Sequence, residues 1–64
     1  MSMQEDENML EDMIQALVDA RADFSKFFDD GNNAAGTRVR KVMQEVKSNA
    51  QALRVQIQET KNSR

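Results

Sequence analysis

A chain of 64 residues without cysteine or histidine holds at most one small domain, burying only about 60% of the surface it exposes when unfolded, with neither disulfides nor the usual zinc ligands to stiffen it. It has no apolar run of about 18 residues and no basic-then-apolar leader, which argues against a membrane span or a secretory signal and makes the cytoplasm the expected compartment. The net charge of −2 hides a division: residues 1–30 carry nine acids against Arg21 and Lys26 and total −7, while residues 31–64 carry seven bases against Glu45 and Glu59 and total +5, so the halves are electrostatic opposites.

Proline is absent, Gly31 and Gly36 are the only breakers, and strong helix formers dominate, so helix is favoured nearly everywhere. The first predicted element is a helix over about 5–29. In it Leu10, Met13, Leu17, Ala20, Phe24 and Phe27 recur at alternating steps of three and four, which keeps them on one stripe. A turn at about 30–33 follows. Gly31 can take the left-handed conformation that ends a helix, and Asn32 or Asn33 can accept a bond from the free amides that begin the next. The second helix, over about 34–61, repeats the spacing with Val39, Met43, Val46, Ala50, Leu53 and Ile57.

So short a turn makes the two helices antiparallel. Folding about residue 33 sets Phe27 near Val39, Phe24 near Met43, Ala20 near Val46, Leu17 near Ala50, Met13 near Leu53 and Leu10 near Ile57. Asp29 and Asp30, and Arg38, Arg40 and Lys41, each have the wrong sign for their own helix dipole; the turn sets each cluster beside the opposite helix end. Met9, Ile14, Val18 and Phe28 flank the first stripe and Val42 the second, making both apolar faces wider than a two-helix seam covers. The expected fold is therefore all-α: one domain over residues 1–64, an antiparallel hairpin of two long helices. Its flanks, Ile14 and Phe28 among them, are expected to pair it into a homodimeric four-helix bundle or coiled coil.

Catalysis is not expected. Ser2, Ser25, Thr37, Ser48, Thr60 and Ser63 have no histidine to activate them, and nothing indicates a small-molecule substrate or a cofactor. A calcium loop centred on Gly31 fails because Lys26 would stand where the first carboxylate is required. The acids of "QEDEN" are better explained as complementing a helix start.

The cations carry more information. Arg40, Lys47, Arg54 and Lys61 repeat every seven residues and form a column beside the apolar seam, expected to be thickened near the turn by Arg38 and Lys41. Gly36 would permit close approach of a phosphate there. Two readings remain open: a solvated flank of a bundle, or a row that tracks a polyanion. No tyrosine or tryptophan is present to stack on bases, and the three phenylalanines are read as core, so any nucleic-acid contact should be with backbone.

The block Gly31 to Asn62 resembles the chlamydial-type histone-like family of small bacterial proteins named for their likeness to linker histones. Phe24, Phe27 and Phe28 precede Gly31, Asn32, Ala34, Ala35, Gly36, Thr37, Arg38, Arg40 and Lys41, with Gln44, Glu45 and Lys47 following. The resemblance is close over that half and extends weakly into the first helix. It implies a nucleoid-associated protein that binds double-stranded DNA without marked sequence preference and helps compact it. Arg38, Arg40, Lys41, Lys47, Arg54 and Lys61 are then the expected phosphate ligands. The alternative is a helical protein-interaction module in which DNA plays no part.

Overall fold

The computed structural model describes residues 3–64; Ser2, one of the hydroxyls weighed for catalysis, lies outside the described residues. They form α1 (Met3–Asp19), α2 (Arg21–Asp30) and α3 (Asn33–Asn62). The first two are one bent rod. At Ala20 the backbone opens to φ −77° and ψ −9°, yet its amide still donates to the Ala16 carbonyl at 3.1 Å and its carbonyl accepts from the Phe24 amide at 2.9 Å. These two bonds tie Ala20 to the helix on either side of the bend, so the long first helix expected from the sequence survives as two segments, α1 and α2, interrupted at Ala20.

The rod doubles back where the sequence carries its turn signals. Gly31 takes φ +70°, a conformation that costs other residues, and the amides of Gly31 and Asn32 fold back onto the carbonyls of Phe27 and Lys26, both at 3.0 Å. Asn32, rather than Asn33, caps α3, its side-chain oxygen accepting from the Ala35 amide at 3.1 Å. The molecule measures 50 × 16 × 13 Å, which fits a 30-residue helix of about 45 Å lying beside an equally long partner. This is the expected antiparallel hairpin.

The seam between the rods differs from the expected one. The half-buried and buried positions include Met9, Met13, Ala16, Ala20 and Asp23 on the first rod, and Ala35, Gly36, Val39, Val42, Val46, Ala52 and Leu53 on the second. Among the described residues only Ala20 and Ala35 are buried. Met13, Val39, Val46 and Leu53 thus face the seam as expected, and Met9 and Val42 join them instead of flanking it. Leu10, Leu17, Phe24, Met43 and Ile57, expected to zip the hairpin, are exposed in the single chain, as are Ile14 and Phe28. The physical reason is size. Small alanines at the seam let the two rods pack closely, and that rotates the bulkier row of each helix onto a neighbouring face.

Farther from the turn the seam is polar, with Asp6, Asn49 and Gln56 half-buried. One hairpin therefore has a thin core near the bend and little apolar cover at its open end. Among the described residues no helix is long and apolar enough to cross a membrane.

Candidate nucleic-acid interface

The seven-residue spacing of Arg40, Lys47, Arg54 and Lys61 becomes an exposed row on α3 that winds slowly, about 20° per repeat, with one cation about every 10.5 Å along a span of about 32 Å. Beside it runs a second row, Gln44, Gln51 and Gln58, whose amides can donate hydrogen bonds. Gln44 and Lys47 share a shallow groove with Ser48 and Gln51, and Arg54 shares the next one with Gln51, Val55 and Gln58. Gln58 leans back to donate to the Asn62 side-chain oxygen at 3.2 Å. Reasoning from sequence passed over the glutamines, although they repeat at the same interval of seven.

Arg38 behaves differently. Its Nε donates to Asp23 Oδ2 at 3.0 Å and its Nη2 to Oδ1 at 2.9 Å, a two-pronged pairing that fixes the planar guanidinium on the carboxylate. These bonds hold the Asp23 carboxyl below its ordinary value and raise Arg38 above its own, the hydrogen bond between them being the main cause in each case. Two residues apart on a helix means roughly opposite sides, so Arg38 cannot thicken the row headed by Arg40. It lines a groove on the other flank with Asp19, Asp23, Lys41 and Glu45. The expectation that Arg38 and Lys41 reinforce the row is thus corrected: both stand on the acidic side of the hairpin. No ion pair is seen for Arg40, Lys47, Arg54 or Lys61 among the described residues, although Lys61 shares a groove with Asp6 of α1.

Gly36 also has another role than the one expected. A methyl group placed on it would fall inside the Phe27 ring, so the close approach that it permits is that of an aromatic side chain from α2. Phe27 in turn meets Phe28 edge-on with ring centres 4.9 Å apart, and Phe28 lies 4.6 Å from Phe24. The three rings form a surface cluster at the turn rather than the core expected for them, with Phe28 65% exposed.

The geometry thus consists of a cationic row on α3, an acidic flank behind it and a glycine-aromatic lock at the turn. The family model of the histone H1-like protein Hc1 matches residues 7–63. The chain belongs to that family. No curated protein and no solved structure matches it. The family match reaches well beyond the close resemblance visible after Gly31: it runs through most of α1, all of α2 and α3, and takes in both the Asp23–Arg38 pair and the whole cationic row. Membership therefore describes the hairpin as a unit.

Proposed function

We propose that this histone H1-like family member binds the phosphate backbone of duplex DNA without marked sequence preference, acts as a homodimer, and helps to organise or compact the chromosome. It is not an enzyme: its hydroxyls have no histidine in the chain to serve as base. The observation that carries the reading is the row Arg40, Lys47, Arg54 and Lys61, exposed and without carboxylate partners among the described residues. Family membership supports the same reading. Unpaired cations on a rigid rod gain by displacing the condensed counterions of a polyanion. Evenly spaced charges and flexible amides read no base edges, so the contact is with backbone.

The test is fluorescence anisotropy with random-sequence duplex DNA at low salt. The native chain binds, and Lys47→Glu with Arg54→Glu abolishes binding while the circular dichroism spectrum stays helical. Undiminished binding by that variant, or no binding by the native chain, overturns the assignment.

A further inference from the structure

The bulky apolar residues displaced from the seam lie together on one broad face. Leu17, Phe24 and Met43 line a common groove there, while the opposite flank carries Asp19, Asp23 and Glu45 with Arg38 and Lys41. On α3 the row of Arg40, Lys47, Arg54 and Lys61 sits just outside Met43, Ala50 and Ile57, about 50° farther round the helix at a seven-residue repeat. The apolar face is thus edged by cations along its α3 side.

The chain exposes 5199 Å² for its 7.3 kDa, about 1,000 Å² more than the roughly 4,200 Å² usual for a folded chain of that mass. A standard interface takes about 800 Å² from each partner. A second copy seated on the apolar face would remove close to the excess. Two hairpins stacked face to face by a twofold axis have two arrangements. With the axis across the helices, α3 lies on α3 and the turns point to opposite ends. With the axis along them, each α3 lies on the acidic rod of the other copy and both turns share one end.

Charge decides between the two. Residues 1–30 total −7 and residues 31–64 total +5, so like-on-like stacking would bring two cationic rows side by side along one edge and two acidic rods along the other. We propose that the second copy seats the other way: α3 against the partner's α1 and α2, both turns at the same end. This rests on the homodimer reading above and specifies its geometry. Its consequence is functional. The two cationic rows then lie on opposite edges of the bundle, where each can take its own duplex, and one dimer bridges two DNA segments instead of presenting a single wide track.

The chain has no cysteine, so single spin labels at Asn33→Cys, beside the turn, and separately at Asn62→Cys, at the other end of α3, report the arrangement without background. Sedimentation of each labelled chain establishes the dimer first. The proposed stacking gives label-to-label distances below about 25 Å at both sites; the alternative gives about 45 Å at both, the length of a 30-residue helix. The long pair of distances in a proven dimer overturns the geometry and leaves the dimer standing. A monomer in sedimentation overturns both. Two independent labels guard against one substitution disturbing the turn.

Discussion

The guanidinium of Arg38 grips both carboxylate oxygens of Asp23 across the turn, at 3.0 and 2.9 Å, while Arg40, two residues on, has no such partner. Neighbours in sequence are thereby divided between holding the hairpin and meeting a polyanion. Arg38→Gln is expected to lower the thermal midpoint and leave DNA affinity close to native. Arg40→Gln should do the reverse, sparing the midpoint and reducing the salt slope of binding by about 1. Melting curves and anisotropy titrations on the two variants check this; equal loss of affinity in both would put Arg38 back among the phosphate ligands.

The turn relies on Gly36 for room and Gly31 for conformation. Gly36→Ala pushes a methyl group into the Phe27 ring, an overpacking that should cost about 1–3 kcal/mol. Gly31→Ala meets no neighbour, but it forces a side chain into the left-handed region, costing about 1–2 kcal/mol. In the double variant Gly36→Ala with Phe27→Ala, removal of the ring should recover part of the loss. Chemical denaturation measures all three, and a Gly36→Ala chain as stable as the native one would contradict the packing.

Acid should loosen the hairpin through Asp23. Its carboxyl is held below its ordinary 3.8 by Arg38, so the folded state binds that proton more weakly than the unfolded chain does. The stability this contributes is complete above about pH 5, constant through neutrality, and lost progressively as pH falls through the ordinary value and then the lowered folded one. The native chain should therefore melt above Asp23→Asn at pH 7, and the two should converge as pH drops below that of an ordinary carboxylate. A gap of constant size from pH 7 to pH 2 would exclude the pair as its source.

A core of two small buried side chains, Ala20 and Ala35, is too little to hold a hairpin of this length, so stability should come from the second copy. Mass action then makes the thermal midpoint rise with protein concentration, and Leu17→Asp, which puts a charge on the shared face, should dissociate the dimer and lower the midpoint together. Calorimetry over a hundredfold range of concentration tests this; a midpoint independent of concentration would mean that the single hairpin is self-sufficient.

Much of this was legible in the residues. The turn was, because Gly31 and an asparagine cap have few alternatives, and so were the two helices, because apolar steps of three and four leave none. The facing of the seam was not. The stripe through Leu10, Leu17 and Phe24 and the seam through Met9, Ala16 and Asp23 share Met13 and Ala20, and both satisfy the same period. Hydrophobicity favours the first; the small side chains buried or half-buried at Ala16, Ala20 and Ala35, and the room that Gly36 leaves for the Phe27 ring, go with the second. Asp23 was missed because a lone carboxylate at a seam position looks like a solvated surface residue until the fold brings Arg38 over it. The row from Arg40 to Lys61 could be read in advance because a repeat of seven fixes a line on a helix whichever way the helix is turned.

The central claim is that four cations on α3 take DNA phosphates, and the salt dependence of binding tests it most directly. Titration of random duplex DNA at several ionic strengths should give a plot of log affinity against log salt with slope about −3.6 for each row engaged, four phosphates at about −0.9 each. A slope near zero, or no binding at the lowest salt, would contradict the account.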